Sequence, residues 1–146
     1  MELDPHELYD VLRARQEVFV VEQRCAYLDL DGADPRCHHM WTRGEDGTVA
    51  AYLRIVPPRV KYDEPSLGRI MTSAGARGTG LGRELMMQGL SHLESLFGVS
   101  PVRIAAQAYL VEFYSRFGFR RTGFDFDEDG IPHCEMLRAP SGATIF

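Results

Sequence analysis

Arg77-Gly78-Thr79-Gly80-Leu81-Gly82 places three glycines at alternate positions between an apolar, strand-like segment and an amphipathic, helix-like segment. Glycine has no Cβ, so its backbone turns tightly and approaches a ligand closely. The first amides of a helix have no partner within the helix, and the helix dipole makes that end positive. A strand, a glycine loop and a helix in this order therefore predict a phosphate or pyrophosphate site, to which Arg77 and Arg83 would add charged hydrogen bonds.

The glycine spacing narrows the class of phosphate ligand. A nucleoside-triphosphate loop ends in Gly-Lys-Ser/Thr, and this loop has no such ending. The dinucleotide fingerprint is G-x-G-x-x-G, whereas the spacing here is G-x-G-x-G. A glycine-rich turn that only caps a helix is the alternative, because short glycine motifs also occur without a ligand.

Length, charge and cysteine content set the broad class. The 146 residues predict one domain, residues 1–146, with room for a hydrophobic core. The net charge of −5 argues against a general nucleic-acid binder and suits an amine substrate. No apolar stretch approaches a membrane span, which argues against a membrane partner. Three cysteines form no disulfide framework, so we expect a cytoplasmic protein.

Hydrophobic periodicity predicts helices that alternate with strands. Helices are expected from residue 5 to about 18, from 81 to 97 and from 110 to 117, and strands at 39–43, 48–56, 66–73, 102–106, 119–127 and 133–138. The long helix between two strands predicts a parallel pair with a crossover connection. The flanking hairpins add antiparallel strands, so the predicted fold class is α/β with a mixed sheet. Parallel strands that splay apart would leave a slot for an extended ligand.

A second chemical motif lies downstream in Phe113-Tyr114-Ser115-Arg116-Phe117-Gly118-Phe119. A phenol is a weak acid, so Tyr114 could donate a hydrogen bond and a proton to a group that becomes negative during a reaction. The alternative is an aromatic side chain on a helix face that packs in the core.

Together these motifs resemble the GNAT acetyltransferases, and in particular their ElaA-type subfamily. The R-x-x-G-x-G pattern is similar to the coenzyme A pyrophosphate loop of the family, and residues 113–119 are similar to its F-Y-x-x-x-G-F segment. Further similar segments extend the resemblance from about Leu8 to Leu137: Arg15 with 18–23, 27–32, 68–73, 106–108 and 127–133. The resemblance implies the GNAT acyl-CoA N-acyltransferase fold, a central mixed sheet with splayed parallel strands flanked by helices. It also implies an acetyl-CoA-dependent N-acetyltransferase that acts on a primary amine.

The resemblance also implies which residues bind the cosubstrate. The β-strand backbone would follow the pantetheine arm, the glycine loop would hold the pyrophosphate, and Tyr114 would protonate the thiolate. Gln107 stands where many members carry an asparagine that contacts the arm. The expected cosubstrate-binding residues are Ile70, Met71, Thr72, Arg77, Gly78, Thr79, Gly80, Leu81, Gly82, Arg83, Gln107 and Tyr114.

The general base and the acceptor contacts stay open at this point. Arg69 occupies the strand where some members carry a glutamate base, which leaves Glu22, Glu128, His133 or solvent. His133 suits proton transfer because its intrinsic pKa lies near neutrality, although a hydrogen bond to a loop carbonyl is the alternative. Arg15 and Glu22 border the acceptor side in this fold and, with Glu128, are candidate substrate contacts. An Arg15–Glu22 ion pair at the helix end is the alternative for those two.

Metal sites are not predicted. Asp29, Asp31 and Asp34 lack the spacing of a calcium loop, and residues 37–39 with 133–134 lack zinc-site spacing. The expected partners are acetyl-CoA and a small-molecule or peptide amine, with no nucleic acid. Pairing of terminal strands across a homodimer is possible. The alternative functions are an acyl-homoserine-lactone-synthase-like acyltransferase and a non-catalytic acyl-CoA-binding module.

Overall fold

The protein is described over residues 3–140 by a computed structural model. Its helices are α1 (Pro5–Gln16), α2 (Leu81–Phe97) and α3 (Val111–Ser115). Its strands are β1 (His38–Arg43), β2 (Val49–Val56), β3 (Ser66–Thr72), β4 (Val102–Gln107), β5 (Phe119–Glu128) and β6 (Ile131–Arg138). All the elements predicted from the sequence are present, with ends that differ by a few residues.

The strands form two three-stranded antiparallel sheets, in the orders β1-β2-β3 and β4-β6-β5. β3 and β4, the pair predicted to be parallel, start side by side, where the Arg103 amide donates to the Pro65 carbonyl at 3.2 Å. Within residues 3–140 no hydrogen-bonded ladder joins these two strands. The slot expected between splayed strands therefore lies between the two sheets.

The first helix changes its geometry before it ends. The Asp4 side chain accepts from the Glu7 amide at 2.8 Å and caps α1, as the sequence predicts. The regular helix ends at Gln16, and the chain continues as a wider π-helical segment, Glu17–Glu22. π-Helical segments are rare in proteins, and many of those that occur lie at functional sites. The segment buries Phe19 and carries Glu22 to its last position.

The main core lies between α2 and both sheets. α2 contributes Met86 and Leu93, while Leu53, Ile104 and Met136 come from β2, β4 and β6. The helix passes very close to β2 at Gly89, where an added Cβ would lie 2.7 Å from Leu53 Cδ2. The absence of a side chain at Gly89 allows this short distance between α2 and β2, and the glycine loop lies at the start of the same helix. Across residues 3–140, no helix has the length and apolar character needed to cross a membrane.

Candidate active site

A cavity of about 560 Å³ opens where β3 and β4 separate. Residues of both strands line it: Ile70, Met71 and Thr72 on one side and Ile104, Ala105 and Gln107 on the other. The π-helical segment, α3 and the β5–β6 turn contribute further walls. Residues of β2 and of the loops that follow the π-helical segment and β2 line it as well.

β3 carries a bulge where it borders this cavity. Tyr52 pairs with Met71, and Arg54 pairs with Gly68. The two positions on β2 are therefore two residues apart, whereas their partners on β3 are three residues apart. Arg69 has a positive φ of 49°, which is uncommon for a residue other than glycine. A bulge leaves its extra residue outside the ladder. Backbone groups between Gly68 and Met71 are therefore available to a ligand rather than committed to β2.

Tyr114 lies at the inner wall of the cavity, on α3. Its side chain is only 6% exposed and makes edge contacts with Phe113 and Phe119, with ring centroids 5.2 and 6.2 Å away. Burial, with a smaller contribution from Tyr109, raises the pKa of the Tyr114 hydroxyl above its ordinary value. The phenol therefore holds its proton at neutral pH and is suited to donate it rather than to accept one.

The glycine loop borders the outer end of the cavity. Gly78 and Gly80 have positive φ angles of 77° and 83°, and Gly80 precedes the first residue of α2 without a capping side chain. Gly82 allows close contact with β3, since an added Cβ would lie 3.3 Å from Thr72 Cγ2. Nothing lies within 4 Å of the position that a Cβ would take at Gly78 or Gly80, so the loop that leads to the first amides of α2 leaves room for an anion. This arrangement fits an elongated ligand with a phosphate-bearing end.

Arg77 and Glu22 form an ion pair across the mouth of the cavity. Arg77 Nη1 donates to Glu22 Oε1 at 2.8 Å, and Nη2 donates to the other carboxylate oxygen and, at 3.2 Å, to the Thr72 carbonyl. This hydrogen bonding lowers the pKa of the Glu22 carboxyl. Glu22 is therefore a weak proton acceptor while the pair is intact.

Arg15 does not reach the cavity. Its guanidinium is fully buried, with Nε 3.0 Å from Asp29 Oδ2 and Nη1 2.7 Å from Asp34 Oδ1. Arg54 and Arg69 join the same cluster through Asp31 and Asp29. Three arginines and three aspartates thus neutralise one another, and Arg15 holds the loop after the first helix against β2.

Part of this charge cluster does face the cavity. Arg54 and Arg69 line its floor, although Arg54 is only 1% exposed. Arg54 Nε is buried and has no hydrogen-bond partner among residues 3–140. These residues were missed at the sequence level. A signal did exist, because Arg54 is the one charged residue in the apolar strand Val49–Val56.

His133 and Glu128 lie together at the end of the cavity formed by the β5–β6 turn. His133 Nδ1 lies 2.7 Å from the Ile131 carbonyl, so Nδ1 carries the proton of that hydrogen bond. His133 Nε2 is 3.5 Å from Glu128 Oε2, and the ring stacks on Phe126 with centroids 5.5 Å apart. The alternative for His133, a hydrogen bond to a nearby backbone carbonyl, is present at the first residue of β6, and it leaves Nε2 directed to Glu128.

The cavity therefore brings together most of the residues singled out from the sequence: Glu22, Ile70, Met71, Thr72, Arg77, Gln107, Tyr114, Glu128 and His133. Residues 78–83 adjoin it at the start of α2. Cys25, Tyr27, Lys61 and Tyr109 also line it and were not anticipated. Within residues 3–140, no group of three or more histidine, cysteine, aspartate or glutamate side chains is arranged to hold a metal ion.

Comparison with known proteins identifies the family and the fold. The model of a family described as an acetyltransferase (GNAT) domain matches residues 19–139. A UPF0039 protein of Mycobacterium tuberculosis is 42% identical over 144 residues, 97% of this chain and 90% of the relative.

Two solved structures are also similar over nearly the whole chain. The crystal structure of an acyl-CoA N-acyltransferase from Pseudomonas aeruginosa is 42% identical, with a TM-score of 0.87 over 94% of this chain and 93% of the other. That of Escherichia coli ElaA is 37% identical, with a TM-score of 0.86 over the same shares. The chain therefore belongs to the GNAT family, as an ElaA-type member, and is an acyl-CoA-dependent acetyltransferase.

Proposed function

We propose that this enzyme transfers the acetyl group of acetyl-CoA to a primary amine of a small molecule or peptide, by direct attack of the amine on the thioester. One observation carries the proposal: the buried phenol of Tyr114 shares a cavity with the bulged strand β3, next to the glycine loop at the start of α2. An acid, open strand backbone and an anion site are the three elements that thioester aminolysis in this fold needs.

The outer end of the cavity suits the nucleotide part of the cosubstrate. The amides at the start of α2, from Gly78 to Arg83, would hold the pyrophosphate, and Arg77 stands beside them. The pantetheine arm would run along Ile70, Met71 and Thr72 on β3, with Gln107 on the β4 side. The close approach of Gly82 to Thr72, where an added Cβ would lie 3.3 Å from Thr72 Cγ2, supports this path because it brings the helix start and the strand next to each other.

The chemistry at the inner end follows from the groups found there. An amide near Met71 would stabilise the negative charge that develops on the carbonyl oxygen. Tyr114 would protonate the departing thiolate, since its raised pKa keeps the phenol protonated until the transition state.

The acceptor amine would enter from the side of Glu22, Glu128 and His133. His133 Nε2 carries no proton when the ring is neutral, because Nδ1 already donates to Ile131. We therefore favour His133, with Glu128 at 3.5 Å, as the group that accepts a proton from the amine. Glu22 is better suited to binding a cationic amine than to deprotonating it. We also propose action in the cytoplasm, which suits three free cysteines.

A binding and turnover assay tests the proposal. Acetyl-CoA should raise the melting temperature of the protein, because it binds the native state alone, and amines should accelerate release of the CoA thiol. Gly80→Asp should abolish both effects by placing a carboxylate at the phosphate site. Gly47→Asp is the matched control, since Gly47 has a similar φ of 80° and the same open space around its Cβ position. If Gly80→Asp binds acetyl-CoA as well as the parent protein does, the phosphate site lies elsewhere. If none of the amines accelerates release of the CoA thiol, the proposed amine acetylation is wrong.

A further inference from the structure

Lys61 is the only lysine in the 146-residue chain, and it lines the same cavity as Met71 and Tyr114. It lies in the loop between β2 and β3, with its amine 5.6 Å from the centre of the Tyr62 ring. The other residues that the sequence counts as Lys or Arg are all arginines. An arginine stays protonated and is not nucleophilic, whereas a lysine amine can lose its proton and attack a carbonyl.

The surroundings of Lys61 increase the neutral, nucleophilic fraction of its amine. The side chain is exposed to solvent inside the cavity, yet protein atoms crowd around it and lower its pKa from the ordinary value. Arg69 and Arg54 act in the same direction, while Glu128 and Asp31 oppose them. Because of its position in the cavity, a larger fraction of the Lys61 amine is neutral at physiological pH than for a lysine in water.

Lys61 also shares its cavity with the proposed site of the thioester. Ile70 and Met71 of β3, along which the thioester carbonyl would lie, line the same cavity, as do Glu128 and His133. The flexible four-carbon stem of a lysine gives its amine a range of positions within such a cavity.

We propose that Lys61 is an acetylation site of the enzyme itself, modified by acetyl-CoA bound in the same cavity when no acceptor amine is present. This inference rests on the proposed function. The neutral Nζ attacks the thioester carbonyl carbon, so a C–N bond forms and the C–S bond breaks. The CoA thiolate takes the proton of Tyr114, and the proton lost from nitrogen passes through solvent to restore the phenol. The products are N-acetyl-lysine and the CoA thiol, with no oxidant or reductant.

Acetylation would change the acceptor end of the cavity. It replaces a cation near Glu128 with a neutral amide and fills space that an acceptor would use. The enzyme should therefore lose turnover gradually when it is incubated with acetyl-CoA alone, and an acceptor amine should protect it by competing for the acetyl group.

Intact-protein mass spectrometry tests this inference, followed by peptide mapping to separate Lys61 from the N-terminal amine. We expect one acetyl group on Lys61 after incubation with acetyl-CoA, and none at this position in Lys61→Arg. Modification should be at least about tenfold slower in Gly80→Asp, because that variant loses the proximity that binding supplies. Gly47→Asp should be modified as fast as the parent protein, and Tyr114→Phe should be modified more slowly.

The outcomes separate this inference from the function on which it rests. If acetyl-CoA raises the melting temperature and amines are acetylated, but Lys61 reacts no faster than in Gly80→Asp, self-acetylation is wrong and the proposed function stands. If acetyl-CoA neither binds nor supports thiol release, both proposals fail.

Discussion

Arg77 donates hydrogen bonds from both of its terminal nitrogens to the carboxylate of Glu22, a residue 55 positions away in the chain. The pair ties the loop at the start of α2 to the end of the π-helical segment. One partner belongs to the proposed phosphate site and the other to the proposed acceptor site. A phosphate that attracts the Arg77 guanidinium would therefore compete with Glu22 for it.

The first prediction follows from this competition. Glu22→Gln removes the carboxylate charge and frees Arg77, so affinity for CoA should rise a few-fold, the scale expected for an exposed ion pair. Pantetheine, which lacks the nucleotide phosphates, should bind as before, and calorimetric titration measures both. Glu17→Gln is the control, because Glu17 pairs with Arg13 at the surface of the same segment. Weaker CoA binding by Glu22→Gln would show that the intact pair is part of the phosphate site.

The second prediction concerns the acid. Tyr114→Phe keeps the ring contacts with Phe113 and Phe119 and removes the hydroxyl, so turnover should fall about a hundredfold or more. The affinity for acetyl-CoA should change little, because the proton is needed in the transition state. Tyr109→Phe is the matched control, since Tyr109 lines the same cavity but is 72% exposed. An equal loss in Tyr109→Phe, with full turnover in Tyr114→Phe, would transfer the acid role to Tyr109.

The third prediction is a pH dependence of stability from His39. Its ring lies 2.5 Å from the Tyr52 hydroxyl and 3.0 Å from the Asp34 carbonyl, and burial lowers its pKa from 6.5. The unfolded chain therefore binds a proton at a higher pH than the folded chain does. The neutral ring therefore contributes fully to the free energy of unfolding above pH 6.5. This contribution is lost progressively as the pH falls from 6.5 through the pKa of His39 in the folded protein.

Urea unfolding at a series of pH values checks this effect. The free energy of unfolding should fall between pH 6.5 and 5, by less than the limit of about 1.4 kcal/mol per pH unit for one proton. His39→Asn should flatten the dependence in this range, whereas His92→Asn should retain it. An equally steep dependence in His39→Asn would assign the effect to other groups.

The fourth prediction concerns the contact between α2 and β2. In Gly89→Ala the new methyl group would lie 2.7 Å from Leu53 Cδ2 in a fully buried environment. Overpacking of this kind costs about 1–3 kcal/mol, against a gain of about 1 kcal/mol in helix propensity, so a net loss of stability is expected. Leu53→Val makes room, and Gly89→Ala should be less harmful in that background. Thermal unfolding of the four proteins measures this coupling.

The sequence predicts those parts of the site that depend on local signals. α2 begins at Leu81 and ends at Phe97 as expected, because a glycine stands at each end. The Tyr114 segment and the bulged strand are also recognisable in short motifs. These features follow from backbone preferences and spacing within a few residues.

The remaining parts depend on contacts between distant residues. The sequence leaves Arg15 as either a substrate contact or an ion-pair partner of Glu22. In the structure it pairs with Asp29 and Asp34, which the sequence shows only as acidic residues with an unsuitable calcium spacing. The change to π-helical geometry after Gln16 has no marker in a sequence that keeps its helical periodicity. The proposed role of Lys61 depends on the fold, which places this residue on the same cavity as β3.

The separation of the two sheets has a mechanical consequence. Because residues 3–140 contain no ladder between β3 and β4, the distance between these strands is set by side-chain packing, which yields more easily than a row of backbone hydrogen bonds. The Arg103–Pro65 hydrogen bond closes one end of the gap. Within the part of the chain that the structure describes, the two strands are thus joined through their backbones at one end alone, and we expect them to separate more easily at the other end, where we propose that the cosubstrate and the acceptor meet.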